Sequence, residues 1–412
     1  MTLLPTEMNF MPTLPIPVRN IFKIGLLVLV AIIATPRFAN PCPFCAGVQP
    51  SFLDELNDVS EFHIAVCIRS MPHTDEPGLF LAEFEVVEPL KSITEKKNKT
   101  TFTVPTFESL AAKKMYLVKG YGEETEFQWV APVAIERNDI EYLRGISQLA
   151  TGTPTKLAKL KFFFDHRDSP STLIADDCFN ELGKTSIEDL QLLKPYLQPE
   201  KLKDSLRNEK HTTDRKRLDW VLLGICGQAT DAAIFDELLD IYYKQRELES
   251  KTGVLIRESI GLDAAISTYI TLLGERGLTR VESEFLTNPK SEFSDVFSTL
   301  LALRVQGDDI KKISQERLAE SMALVLQRPE MADLVVSDLA RWQQWKYCKA
   351  LLDLYNKSEK DELRLRLPII NYLRVCPLPE AQEALEAIRV NEPLNYRRAQ
   401  TLFPQAEKAS SK

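Results

Sequence analysis

The chain has 412 residues, 51 of them Lys or Arg and 59 Asp or Glu, for a formal charge of −8. A 44% hydrophobic and 27% charged composition is that of a soluble globular protein with room for two or three domains. The acidic balance excludes non-specific nucleic-acid binding, which needs a basic surface to displace phosphate counterions. Seven cysteines are too few for a disulfide scaffold.

Arg19 and Lys23 precede an apolar run from Ile24 to Ala34. That run is about half of what a helix needs to cross a bilayer, and it fits the core of an export signal. An uncleaved N-terminal anchor is the alternative. Ala39 can stand just before a cleavage point, although Arg37 is a poor residue two places earlier. The expected organisation is a signal peptide over 1–39, a β-domain over 40–137, a helical domain over 138–403 and a disordered tail over 404–412. No later run is apolar enough to predict a membrane span, so the mature chain is expected in the periplasm or outside the cell.

Directly after the signal comes Cys42-Pro43-Phe44-Cys45. Phe62, Ile64, Val66 and Ile68 then alternate with His63, Ala65, Cys67 and Arg69, the pattern of a half-buried strand. Phe80 to Val86 predicts a second strand, and Lys91 to Lys99 a basic loop. Phe102 and Val104 mark a third strand, Met115 to Val118 a fourth, and Phe127 with Trp129 a fifth. Five short strands with turn signals between them predict a small barrel or sandwich. The cysteine-bearing start, the AVCIR strand and the late YLVKG strand resemble the netrin/TIMP-type OB barrel. In TIMP-type inhibitors the first residue is a cysteine that chelates a protease zinc. Here the pair is CxxC rather than CxC, which departs from that pattern.

Three chemistries compete for Cys42, Cys45 and Cys67. One is a structural disulfide, either Cys67 with Cys42 or Cys45, or the CxxC pair closed on itself. A second is a redox dithiol at CPFC with a depressed thiolate pKa. The third is a metal site with Cys42, Cys45, His63 and Cys67 as ligands in a C-x2-C-x17-H-x3-C spacing. Haem attachment is excluded, because Ala46 stands where a histidine is needed.

From Ile140 the period lengthens to about 3.6. Leu318, Met322 and Val325 share one helix face, and Met331, Leu334, Val335, Leu339 and Trp342 share the next. Gly183, Gly227 and Gly274 each close an apolar helix, at spacings of 44 (227 − 183) and 47 (274 − 227). That is near the period of HEAT or armadillo helix pairs, with glycine as a left-handed C-cap. Cys178, Cys226, Cys348 and Cys376 fall within apolar helical patterns and read as buried free thiols. The stretches NPCPFC, DIEYLRGI, KLKFFFDHRDSPSTLIADDCFNELGK and RPEMADLVVSDLARW resemble exported proteins of planctomycete-type bacteria. The resemblance implies a signal, a small β-domain and a HEAT-like tail, and it implies no activity.

Enzyme signatures are imitated rather than met. His166-Arg167-Asp168 lacks the asparagine a kinase needs five residues on, since Leu173 is there. Gly183-Lys184-Thr185 follows a helix instead of a strand, and Cys178 takes the place of the earlier glycine. Asp176-Asp177 and Asp308-Asp309 read as solvated acids. So do the basic residues Lys210, His211, Arg215, Lys216 and Arg217 at a helix start. The fold expected is α+β and multidomain: a five-stranded OB/NTR-like barrel, then an all-α HEAT-like array. The function expected is a non-enzymatic, cofactor-free exported scaffold of the cell envelope that binds a protein. A periplasmic thiol-disulfide or metal-handling protein using CPFC is the alternative.

Overall fold

The computed structural model describes residues 42–45, 47–92, 101–122, 126–253 and 260–404. The signal expected over 1–39, most of the Lys91–Lys99 loop and the tail after residue 404 lie outside the described residues. The chain is α+β. A short helix α1 (Phe52–Asp58) leads into an antiparallel sheet of β1 (Glu61–Pro72), β2 (Phe80–Ser92), β3 (Thr101–Thr106), β4 (Met115–Tyr121), β5 (Gln128–Trp129) and β6 (Val133–Ile135). The ladders run β3-β2-β1-β4-β5, with β6 on β4. The short strand β6 was not expected from the sequence; three residues behind Pro132 carry too little alternation to register.

β1 departs from simple alternation in an instructive way. Phe62 and Ile64 enter the main core with Leu117. Ala65 and Cys67 face the other way, and they too are buried, in a second core with Ala82, Phe84, Val104, Tyr116 and Val118. Both faces of the sheet centre are therefore dry. The expected stripe ends early, because the β1–β2 register shifts between Cys67 and Arg69. Ile68 has no partner in that register and is 41% exposed. A bulged residue loses its phase with the pleat, which is why Ile68 leaves the stripe.

Sixteen further α-helices follow among the described residues, starting with α2 (Asp139–Thr151), α3 (Lys156–His166), α4 (Thr172–Gly183) and α5 (Ile187–Leu190). Next come α6 (Pro199–Arg207), α7 (Thr213–Cys226), α8 (Ala233–Thr252), α9 (Leu262–Leu273), α10 (Glu275–Val281) and α11 (Phe293–Val305). The last are α12 (Gln315–Ala323), α13 (Asp333–Arg341), α14 (Cys348–Lys357), α15 (Leu363–Val375), α16 (Pro379–Asn391) and α17 (Pro393–Leu402). Thr155, Ser186, Thr212 and Ser314 cap their helices by accepting the backbone N–H three residues on. Each cap satisfies one of the amides that a helix start leaves without a partner.

Sequence neighbours such as α6 and α7 pack together, and alternate helices pack as well. α7 packs on α9, α9 on α11, α11 on α13, α13 on α15 and α15 on α17. These form an inner row. Leu262 to Ile270 of α9 are buried without a break, as a helix enclosed on all sides must be. The main core is continuous from Cys42 and Phe62 to Ala399, so sheet and helices share it.

The three repeat-marking glycines do different jobs. Gly274 alone has a positive φ, 62°. Gly227 is extended at φ −73°. Gly183 lies within the last turn of α4. A shared left-handed cap does not explain them. No helix among the described residues is long and apolar enough to cross a membrane.

Candidate functional site

CPFC forms a tight turn. Pro43 presets its first corner, and the Cys45 amide donates to the Cys42 carbonyl at 3.0 Å. That closure brings the Cys45 thiol to 2.9 Å from the Cys42 sulfur, to which it donates. The hydrogen bond holds the Cys42 thiol below its ordinary pKa despite burial, helped by the amides of Phe44 and Cys45. The same bond, together with burial, holds the Cys45 thiol well above the ordinary range. One sulfur is thus biased toward thiolate and its partner toward thiol.

Access is the limiting property. Cys42 is 2% exposed and Cys45 6%. The turn is seated on the helices. A methyl group on Gly183 would meet Val48 Cγ2 at 3.0 Å and Cys45 Cβ at 3.2 Å, so the absent side chain of Gly183 makes the seat. Phe44 projects against a cavity of about 50 Å³ bordered by Val221, Gly224, Thr268 and Ile310. A catalytic dithiol needs one exposed nucleophilic sulfur, and this turn presents neither.

The residues that follow are pinned by a buried polar network that sequence reasoning missed. The Phe52 amide donates to Asp177 Oδ1 at 2.6 Å, and the Tyr142 hydroxyl donates to Asp177 Oδ2 at 2.5 Å. Ser51 Oγ donates to Glu181 at 2.7 Å and also caps α1. Lys159 pairs with Glu181 at 2.5 Å, and Lys184 with both Glu181 and Asp54. Asp177 and Glu181 are almost fully buried. Burial pushes the Asp177 carboxyl up to about 6 against the opposing bonds from Tyr142 and Phe52. Asp177, expected to be solvated, is instead the centre of the anchor. On its far side α1 is held to the sheet by Lys119, which donates to Glu55 at 2.7 Å. The available signal was the spacing of Asp177 and Glu181, one turn apart beside the Ile174-Cys178-Leu182 stripe.

The other candidate ligands are elsewhere. Cys67 lies in the second core, across the sheet from Phe62 and Ile64, and burial raises its thiol pKa. The sheet backbone therefore separates Cys67 from Cys42 and Cys45. His63 shares the Cys67 side. Its Nε2 contacts Glu61 at 2.8 Å, its ring lies 5.8 Å from that of Phe102, and burial lowers its pKa against Glu61. Cys42, Cys45, His63 and Cys67 are not gathered as a metal site, and no group of three or more such ligands occurs among the described residues.

One constellation imitates a hydrolase. Ser205 Oγ lies 2.9 Å from His211 Nδ1 and donates to Asp219 at 2.6 Å. Serine stands between the imidazole and the acid, whereas a working triad places histidine there to take the serine proton. With Arg167, the C-cap of α3, at 3.3 Å from Asp219, the group braces the end of α3 against α6 and α7. The basic run at the α7 start is likewise committed: Arg215 to Asp168, Arg217 to Asp263 at 2.9 Å, with Lys216 buried.

Comparisons with family models, with curated proteins and with solved structures each gave no match. The reading of function therefore stands on the sequence and the geometry.

Proposed function

We propose that the chain is an exported, non-enzymatic interaction scaffold of the cell envelope. In this reading the sheet is an OB/NTR-like barrel, the helices are a HEAT-like array, and CPFC is a structural staple. The observation that carries it is a pair of solvent-facing aromatic rings on α11. Phe293 and Phe297 are 51% and 39% exposed, and their rings stack with centroids 6.0 Å apart. Exposed stacked aromatics are the residue type that anchors protein interfaces. The skip-one packing of the inner row supports an array, because an array buries one row and leaves another surface free.

A photo-cross-linking residue at position 297, in cells that export the chain, tests the scaffold role. The expected result is a discrete adduct that Phe293→Asp abolishes and that a cross-linker at Glu359 does not form. No adduct at 297, or the same adducts at both sites, sinks the reading. N-terminal sequencing of the exported chain tests the signal.

The alternative, a thiol-disulfide or metal-handling role for CPFC, is favoured by the opposed pKa shifts of Cys42 and Cys45. A dithiol potential in the range of catalytic oxidoreductases would support it. Burial of both sulfurs supports the staple.

A further inference from the structure

Two corners of the helical region border an open cleft of about 320 Å³. The first corner follows α10. A π-turn, Glu282–Leu286, widens its last turn, and the Thr287 amide closes it by donating to the Glu282 carbonyl at 2.9 Å. The chain then bends through Pro289, where the Asn288 side chain accepts from the Lys290 amide at 2.9 Å. The second corner follows α12. A 3-10 turn, Leu324–Gln327, tightens its end, and Pro329 stops it. Leu286, Pro289 and Leu324 make the cleft's apolar lining, and Gln327, Arg328 and Glu330 its polar one.

Arg328 ties the two corners together with a donor to spare. Its Nη2 donates to the Ser291 carbonyl at 3.0 Å, and its Nε donates to Glu330 at 3.2 Å. Its Nη1 is buried and has no partner among the described residues. An unmatched buried donor on a charged group is unfavourable, and in a folded protein it points to a missing water or ligand. Glu330 does not meet the need, because its side chain is 60% exposed and its bond is to Nε.

We propose that this cleft binds a carboxylate carried on a short aliphatic chain, either the C-terminus of a peptide or a free branched acid. The guanidinium turns toward the cleft, and the bond that yields is the longer one, to exposed Glu330. A carboxylate oxygen then accepts from Arg328 Nη1, a charge-assisted bond. The exposed Gln327 amide supplies a second donor at the rim, and Leu286, Pro289 and Leu324 receive the aliphatic chain. One cation beside a carboxylate suits a monoanion better than a phosphate. The volume is at the lower end of ligand sites, about 300–1,000 Å³, which suits one or two residues rather than a folded surface. The inference goes beyond the scaffold reading, since a free acid would use the same groups.

The test titrates the purified full chain with three probes, read by saturation-transfer NMR. They are isocaproate, an N-acetylated tripeptide ending in leucine, and the same tripeptide as its C-terminal amide. At least one of the two acids should bind, and the amide should bind about ten-fold more weakly than the peptide acid or not at all. Arg328→Gln should weaken the acid about ten-fold. Gln327→Glu, an exposed change expected to leave the Tm unaltered, should weaken it about three-fold by adding a negative charge beside the ligand. Glu330→Gln should tighten it by about the same factor by removing one. Binding of the tripeptide makes a chain terminus the ligand, and binding of isocaproate alone makes it a free acid. No binding by either acid overturns the inference, and so does equal binding of the peptide acid and its amide. If Arg328→Gln lowers the Tm, the Gln327 and Glu330 variants decide, and unchanged affinity in both overturns it.

Discussion

Asp177 offers the sharpest test of the anchor. Its two oxygens accept the Phe52 amide at 2.6 Å and the Tyr142 hydroxyl at 2.5 Å. Asp177→Ala removes both acceptors and strands two buried donors, at about 1–3 kcal/mol each. Asp177→Asn keeps a carbonyl for the Phe52 amide, and its amide group can donate to a reoriented Tyr142 hydroxyl. It should cost little at low pH and gain at neutral pH. Burial raises the folded Asp177 pKa to about 6, above its unfolded value. The protonated anchor is therefore favoured, its full stabilisation is present below about pH 4, and it is lost as pH rises through about 6. Two pKa units correspond to about 3 kcal/mol, an order-of-magnitude figure. Hydrogen exchange of a peptide covering residues 49–58 reads the local opening directly. Wild-type protection of that peptide should fall between pH 4.5 and pH 7 after correction for intrinsic exchange. Asp177→Asn should flatten that fall, and Asp177→Ala should abolish protection at both values. Equal opening of the Asn and Ala variants, or a wild type that tightens as pH rises, would refute the reasoning.

Three further outcomes follow from the same geometry. Gly183→Val should lower the Tm by displacing the CPFC turn, at about 1–3 kcal/mol by overpacking, since Val48 and Cys45 already stand 3.0 and 3.2 Å from the new Cβ. A compensating Val48→Ala should recover part of the loss. Arg366 is buried, stacks 3.8 Å from the Tyr355 ring and pairs with Glu392 at 2.5 Å. Arg366→Ala should cost about 1–3 kcal/mol in urea unfolding, because the buried Tyr355 carbonyl loses its donor while Glu392 keeps the Tyr355 hydroxyl and Asn395. Finally, maleimide labelling of Cys42 in the reduced folded chain should be slow, and it should accelerate in Asp177→Ala as the segment opens; rapid labelling of the native chain would contradict its burial.

Much of the fold was legible in sequence because burial there follows a simple period. Leu318, Met322 and Val325 are fully buried as spaced, and so are Val335 and Leu339. The strand starts of β1 to β4 were visible for the same reason. What failed was everything decided by a partner distant in sequence. Cys67 looked reachable from the N-terminus because alternation fixes a side chain's phase and not which face its neighbours cover; here the segment 42–58 lies on the Phe62 face. Asp177 looked solvated because Phe52 and Tyr142, its donors, are 125 and 35 residues away. Gly183 looked like a cap, while its role comes from Val48 and Cys45.

Closing the Cys42–Cys45 ring should stabilise little beyond the turn itself. In the chain-entropy account, stabilisation grows with the logarithm of the closed loop. Cys42 to Cys45 encloses four residues (45 − 42 + 1), worth about 2 kcal/mol. A four-residue ring fixes the shape of a turn and tethers nothing beyond itself. The hold on residues 49–58 comes instead from Asp177, Glu181, Lys184 and the apolar seat of Phe44, none of which changes when the sulfurs are reduced. Reduction of Cys42 and Cys45 alone should therefore leave that segment protected from hydrogen exchange, whereas Asp177→Ala should release it with the sulfurs still joined. If reduction by itself frees the segment, the turn holds the anchor and the carboxylates only follow it.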